Sequence, residues 1–411
     1  MKFSDLNKLK DRQAAPAPKN APVKREEPRR VPEPQRARPE EKPAAQQPVE
    51  TAAPKPAAAE TPAVIEPPKH AAQPPRADRP KLQPHPAELP TASYRELYTK
   101  AGDIYARMVA QAAELLSHME QPYTEQYEAV LRACKTAAQT LKINPVLLNY
   151  TAYSTSADYL HAHTANTAIL SMAIGRAAGL EDADIEFIGF CAMAHDAGMT
   201  DFKDLAARAD RLSEEEFAEI TTHPEAGMRK LDRIVDLDYK LKERARRIVM
   251  QTHERLDGSG YPDRLAGDEI DPFAQIIGIA DVYEAMTHPR AWREAINPPD
   301  VIRELIEKEG SGFSSKTVKA LIATLSIYPP NSIVELTTHE IARVIKVNSG
   351  SLTKPLVEVL LDAGFEQAQA RTVDLLQYPL TSIERPVPLS EIAARNQGFA
   401  ERLEASRWWT E

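Results

Sequence analysis

The ten residues that decide the fold are His253-Glu254-Arg255-Leu256-Asp257-Gly258-Ser259-Gly260-Tyr261-Pro262. They place a histidine, a frequent metal ligand in proteins, directly before a glycine-rich turn. Glycine permits backbone angles that other residues avoid, and proline fixes its own φ. We therefore expect Gly260, Tyr261 and Pro262 to shape the entrance of a site beside His253 and to contact what binds there.

Other candidate metal ligands lie on both sides of this stretch. The adjacent pair His195-Asp196 follows an apolar run with helical spacing, and Asp281 stands in Ile-Ala-Asp-Val-Tyr-Glu-Ala-Met. His163 and His223 are isolated histidines, which are more often core residues than ligands when each is taken alone. Imidazole and carboxylate together suit iron, manganese and similar ions. The complete set therefore predicts a metal site.

The order of these landmarks resembles the HD-GYP branch of the HD phosphohydrolase superfamily, over roughly residues 158–328. The resemblance implies an all-helical core and a phosphodiesterase that opens cyclic di-GMP with two divalent transition metal ions, iron or manganese. It also implies a metal-activated water in a binuclear site, with Asp196 and His195 as catalytic residues. The implied ligands are His163, His195, Asp196 and Asp281 for one metal, and Asp196, His223 and His253 for the other.

Two arginines are the candidate phosphate-binding residues. Arg290 and Arg293 stand where members of the family have a basic run that holds substrate phosphates. A guanidinium group presents a fork of donors that suits a phosphate. The resemblance therefore implies that both contact the substrate, and the alternative is that they are surface charges at a helix end.

Three positions depart from the family pattern. Met199 stands where many members have a phosphate-contacting lysine, and Thr252 stands where the fuller motif has the first of two histidines. Tyr159 replaces the glutamate of members with a third metal, so we expect two metals. Hydrolysis of cyclic di-GMP is the favoured prediction. The alternatives are a non-catalytic nucleotide receptor or signalling adaptor, and a phosphohydrolase that acts on another nucleotide.

Residues 1–90 have the composition of a disordered, Pro-rich tether. They contain 20 of the 34 prolines, no glycine and one aromatic residue, Phe3. Such a tract cannot bury enough apolar surface to offset its ordering entropy. Its 17 basic and 12 acidic residues contrast with an acidic remainder, but mixed charges diluted by proline favour a solvated linker. It could bind a protein partner, and no nucleic acid is expected to bind.

The rest of the chain is predicted to be mainly α. Apolar residues at helical spacing predict a helical pair over residues 91–157, suited to packing or to a homodimer contact. The all-helical core follows over residues 158–328. Within it, Ser213 and Glu216 are predicted to form a capping box at a helix start.

The last part of the chain changes its pattern twice. Short β-branched runs predict a small antiparallel β unit over residues 329–386, and the predicted strands are 333–336, 341–347 and 356–361. Residues 387–411 then return to helical spacing, with Ser390 as the predicted cap of a terminal helix.

The composition also indicates the cellular compartment of the protein. No window approaches the ~18 apolar residues of a membrane helix, and the first residues lack the apolar run of a secretory signal. Cys134 and Cys191 are too few for a disulfide framework. We expect a cytoplasmic protein with buried free thiols and no transmembrane segment.

Overall fold

The computed structural model describes most of the chain after the predicted tether. The described residues are 91–121, 125–155, 159–206, 208, 212–289, 295–348, 350–406 and 408–409. The tether, residues 1–90, lies outside them. Among the described residues, every helix is too short or too polar to cross a membrane. Cys134 and Cys191 are buried free thiols, as expected.

Two long helices form the predicted helical pair. Helix α1 spans Thr91–His118 and α2 spans Tyr127–Ile143. Tyr105, Met108 and Leu115 of α1 are fully buried, because residues at these spacings lie on one face of a helix. This face packs against α2 and against the helices of the core.

The core that follows is helical, as predicted. Its elements are α3 Leu147–Tyr150, α4 Tyr159–Ala177, α5 Asp182–Ala194, α6 Lys203–Ala206, α7 Glu214–Ile220, α8 His223–Leu231, α9 Tyr239–Gln251, α10 Pro272–Thr287, α11 Pro298–Glu307 and α12 Ser315–Leu325, with 3-10 turns at Ala197–Phe202 and Gly267–Glu269. Helix α4 is buried on nearly every face, because α1, α5, α10 and α12 surround it. A helix enclosed in this way has little polar surface to present to solvent.

The helix ends follow local sequence signals. Gly179, just beyond α4, has a left-handed φ of +86°, the conformation that favours glycine after a helix. The predicted capping box is formed: Glu216 N donates to the Ser213 hydroxyl at 3.2 Å, and Ser213 N donates to the Glu216 carboxylate at 2.8 Å. Pro224 lies in the first turn of α8, where its missing N–H costs nothing.

The small β unit is a five-stranded antiparallel sheet. After a two-residue strand near the core, β1 Ser154–Thr155, the strands are β2 Ile333–Leu336, β3 Ile341–Asn348, β4 Ser351–Leu361, β5 Gln367–Asp374 and β6 Ile383–Pro386. Their order in the sheet is β5-β4-β3-β2-β6. The three predicted runs correspond to β2, β3 and β4, whereas β5 and β6 are additional. Alternate residues such as Val344, Val357 and Val359 form the buried face.

The end of the chain is helical, but in two pieces. Helix α13 spans Leu389–Arg395 and α14 spans Gln397–Ala405, so the predicted continuous helix is interrupted. Asn396 separates them, and its side-chain oxygen accepts a hydrogen bond from Phe399 N at 3.1 Å. Pro388 occupies the cap position of α13, which corrects the prediction of Ser390. A last strand, β7 Trp408–Trp409, pairs in parallel with β1.

Candidate metal centre

All six predicted metal ligands lie together in one buried pocket of the core. They come from the second turn of α4 (His163), the end of α5 (His195 and Asp196), the start of α8 (His223), the residues after α9 (His253) and the middle of α10 (Asp281). Each is at most 9% exposed. Residues spread over much of the core sequence therefore meet in one place.

Asp196 is the centre of this pocket. Its Oδ1 lies 3.2 Å from His223 Nε2 and 3.5 Å from both His195 Nε2 and His253 Nε2. Its Oδ2 lies 3.3 Å from His163 Nε2. Two groups of donors share this carboxylate, one with His163 and His195 and the other with His223 and His253.

Asp281 faces both groups from α10. Its Oδ1 lies 3.4 Å from His163 Nε2 and 4.0 Å from His195 Nε2, and its Oδ2 lies 3.7 Å from His253 Nδ1. Donors that stand about 2.1 Å from one divalent ion are roughly 3.0–3.5 Å from one another. The spacing around Asp196 and His163 is therefore that of side chains able to share an ion.

Backbone carbonyls set the tautomers of two of the imidazoles. His195 Nδ1 donates to Ala192 O at 2.7 Å, and His223 Nδ1 donates to Ile220 O at 2.8 Å. Each Nε2 lone pair is thereby directed into the pocket, as is usual for metal-binding histidines. His195 Nε2 and Asp196 Oδ1 are buried without a hydrogen-bond partner among the described residues. Buried acceptors of this kind fit a cation that binds between them.

Glu284 is part of the centre, although no motif in the sequence predicts a role for it. It is 2% exposed, and its carboxylate accepts hydrogen bonds from His163 Nδ1 and, at 3.1 Å, from Asn166 Nδ2. It therefore orients His163 as the backbone carbonyls orient the other imidazoles. The signal in the sequence is its position one helical turn after Asp281, in an otherwise apolar helix.

The electrostatics of the pocket favour a bound cation. Burial lowers the pKa of His253 to about 4, so this imidazole is neutral near pH 7. Burial raises the pKa of Asp196, but His195 and the other neighbouring imidazoles outweigh it and hold that pKa well below its usual range. Burial lowers the pKa of His163, yet Glu284 and the two aspartates raise it well above its usual value. Asp196 and His253 are therefore in the ionised and neutral forms that bind metals, whereas a metal would have to displace a proton from His163.

The glycine-rich turn covers one side of the second group of donors. The Tyr261 ring stacks on the His253 ring, with centroids 5.0 Å apart and planes 6° apart. It also meets the His223 ring edge-on at 6.1 Å. Tyr261 therefore packs on two of the ligands, and the following Pro262 is joined to it by a cis peptide bond.

Two residues hold this turn in place. A Cβ at Gly260 would lie 2.3 Å from Glu254 Cα, so only glycine allows the two backbone segments to approach so closely. The Glu254 carboxylate accepts hydrogen bonds from Asp263 N at 2.7 Å and from Leu265 N at 3.1 Å. The residues around His253 thus fix the loop that covers it.

A second close approach joins Asp196 to the helix that carries His223. A Cβ at Gly198 would lie 1.9 Å from His223 O and 2.7 Å from Gly227 N. No side chain fits between the turn after Asp196 and helix α8. The absence of a side chain at position 198 therefore allows His223 to reach Asp196.

Other residues singled out by the sequence have different positions. Thr252 is buried, and its hydroxyl donates to Ile248 O at 3.1 Å, within its own helix. His161, two residues before His163, is in neither group of donors among the described residues. The predicted phosphate-binding residues Arg290 and Arg293 lie outside the described residues.

Two protein families match the chain. Residues 148–316 match the family described as HD domain, and this range contains all six donors. Residues 333–395 match the family described as KOW domain associated with HD domain, and this range contains the five-stranded sheet.

The curated relatives that match the chain include these three, each named as a phosphodiesterase. Cyclic di-GMP phosphodiesterase PA4108 of Pseudomonas aeruginosa is 28% identical over 55% of this chain and 54% of its own length. Cyclic di-GMP phosphodiesterase PdeB of Borreliella burgdorferi is 27% identical over 58% of this chain and 62% of its own. The 3'3'-cGAMP-specific phosphodiesterase 2 of Vibrio cholerae is 30% identical over 39% of this chain and 30% of its own. The chain spans less than two thirds of the length of each.

Proposed function

We propose that this chain, whose residues 148–316 match the HD domain family, is a metal-dependent phosphodiesterase that hydrolyses a cyclic dinucleotide, cyclic di-GMP, in a binuclear site. The observation that carries the proposal is the position of Asp196: its Oδ2 lies 3.3 Å from His163 Nε2, while its Oδ1 lies 3.2 and 3.5 Å from the Nε2 atoms of His223 and His253. Oδ1 is also 3.5 Å from His195 Nε2, so this carboxylate stands between the two groups of imidazoles. A carboxylate with two oxygens can bridge two ions.

The proposed ligands divide between two half-sites, which we name by their donors. The first half-site is His163, His195, Asp196 and Asp281, and the second half-site is Asp196, His223 and His253. Their mixed imidazole and carboxylate donors support iron or manganese. When bound, two such ions supply an activated water and positive charge against the phosphoryl oxygens.

The chain's own residues prepare this chemistry. Asp196 holds the two half-sites at a fixed separation, and the hydrogen bond from His195 Nδ1 to Ala192 O keeps that imidazole oriented. Tyr261 covers the second half-site and limits the access of bulk water. Hydrolysis forms one bond from the water oxygen to phosphorus and breaks one bond from phosphorus to a ribose oxygen, which leaves with a proton. The product is a linear dinucleotide.

The choice of substrate rests on the relatives and on the predicted arginines. Two of the three relatives are named for cyclic di-GMP and the third for 3'3'-cGAMP, which supports a cyclic dinucleotide in general and cyclic di-GMP first. We propose that Arg290 and Arg293 bind its phosphates, and that Gly260, Tyr261 and Pro262 line the entrance.

A non-catalytic nucleotide receptor is the second candidate, and one observation favours it. The hydroxyl of Thr252 is directed to Ile248 O, so this position adds no donor to the second half-site. A receptor would bind the nucleotide tightly and release no product.

One experiment on a single preparation separates these functions. The protein is purified without oxygen, its metal content is measured, and cyclic di-GMP and 3'3'-cGAMP are each added while products are separated by chromatography. We expect two transition metal ions per chain and conversion of cyclic di-GMP to the linear dinucleotide. Tight binding without product would show that the protein is a receptor and not an enzyme. Turnover of 3'3'-cGAMP alone would show that this dinucleotide, and not cyclic di-GMP, is the substrate.

A further inference from the structure

A buried ammonium group lies outside the metal centre, on the helix that starts at His223. Lys230 is 3% exposed. Its Nζ lies 2.7 Å from Asp201 Oδ1 and also contacts the Glu120 carboxylate and the Thr200 hydroxyl. A buried charge is costly unless its partners replace the lost water, so these three oxygens fix its position.

The partners of Lys230 belong to two other parts of the fold. Glu120 follows the end of α1, in the helical pair. Thr200 and Asp201 belong to the 3-10 turn that begins directly after Asp196. One ammonium group therefore joins α8, the helical pair and the turn that follows the bridging carboxylate.

The contact made by Lys230 is relevant to the second half-site because two of its donors lie on the elements that Lys230 joins. His223 is on α8, and Asp196 directly precedes the 3-10 turn. His223 is the first residue of α8, and Lys230 lies seven residues, about two turns, further along the same face. The turn after Asp196 is already in close contact with His223 at Gly198. Lys230 therefore forms a second contact between α8 and the turn that follows Asp196.

We propose that Lys230 is a positioning residue that holds His223 against Asp196 and so sets the affinity of the second half-site for its metal. This role rests on the proposed function in one respect, the assignment of Asp196, His223 and His253 as the ligands of one metal. Through Glu120 it also makes the helical pair part of the support of the metal centre. The neighbouring Arg229 provides the contrast: its side chain is 64% exposed and pairs with Glu225 at 3.8 Å, a contact that contributes little in water.

The test compares Lys230→Met with Glu120→Gln and with the matched control Arg229→Met. Mn²⁺ titration of the full-length, metal-free protein measures the two dissociation constants, and thermal unfolding measures stability. We expect Lys230→Met to weaken the second Mn²⁺ by about tenfold, as the loss of a supporting partner does, and to leave the first unchanged. Excess Mn²⁺ should restore its kcat, while KM for cyclic di-GMP stays constant. Glu120→Gln should show a smaller change of the same kind, and Arg229→Met none.

The outcomes separate the possible errors. Equal weakening of both ions, or a lower melting temperature with both dissociation constants unchanged, would show that Lys230 only stabilises the fold. Glu120→Gln decides the matter if Lys230→Met does not fold, because Glu120 is 46% exposed and its loss is tolerated more easily. A wild-type protein that binds two Mn²⁺ without turnover would refute the proposed activity, and the titration would still test the role of Lys230.

Discussion

Gly198→Ala is the sharpest perturbation that the structure offers, because it adds one methyl group at the close contact between the turn after Asp196 and helix α8 and removes no metal ligand. The new Cβ would meet His223 O at 1.9 Å, whereas ordinary contact begins at 3.4 Å, so the two segments must separate by about 1.5 Å. Metal sites tolerate ligand displacements of only about 0.2 Å. His223 would therefore leave the second half-site.

The expected result is a loss of the second metal with a modest loss of stability. We expect the affinity for the second ion to fall by about 100-fold and the free energy of unfolding to fall by about 1–3 kcal/mol, the usual cost of overpacking. Mn²⁺ titration and thermal unfolding measure the two effects. The matched control is Gly350→Ala, since a Cβ at Gly350 meets nothing within 4 Å. Two normally bound ions in Gly198→Ala would refute the coupling between the turn and α8.

Three further predictions concern the same centre and the tether. Asp196→Ala should abolish both binding of the second ion and hydrolysis, whereas His161→Ala should leave metal content unchanged; elemental analysis and product chromatography check both, and near-normal turnover of Asp196→Ala would exclude a binuclear mechanism. Glu284→Gln should keep its shape but lose the charge behind His163, so the first ion should bind about tenfold more weakly in a Mn²⁺ titration. Removal of residues 1–90 should leave the melting temperature and turnover nearly unchanged, because a Pro-rich tract adds little to a core; a large drop would contradict the tether.

The parts of the fold that were predictable are those whose signal is local. Helical spacing gave the helical pair and the core, and the Ser213 box gave a helix start. Strand β5 carries the sequence Gln-Ala-Gln-Ala-Arg-Thr-Val-Asp, which lacks a β-branched run because an edge strand exposes much of its surface. The break at Asn396 depends on a hydrogen bond to Phe365 O at 2.9 Å, a contact between distant segments that no local pattern reveals.

The metal centre also has a part that the sequence predicts and a part that depends on contacts between distant segments. The motif order led to all six donors, which the structure brings together. The role of Glu284 was not predicted, because a lone glutamate in a helix gives no sign that His163 faces it from another helix. The contact of Gly198 with His223 O was missed for a related reason: a glycine in sequence does not tell which backbone approaches it.

The pairing of β1 with β7 bears on the order in which the chain is assembled. Ser154 lies opposite Trp408, so more than 250 residues must be synthesised between the two partners. Closing so long a loop costs little more than closing one half as long, but it cannot occur while the later strand is still inside the ribosome. The segment that leads into α4, and so to His163, receives this neighbour only after Trp408 has been synthesised. A nascent chain stalled before Trp408 lacks β7. Metal binding by such a chain would show whether the metal centre forms before β1 and β7 pair.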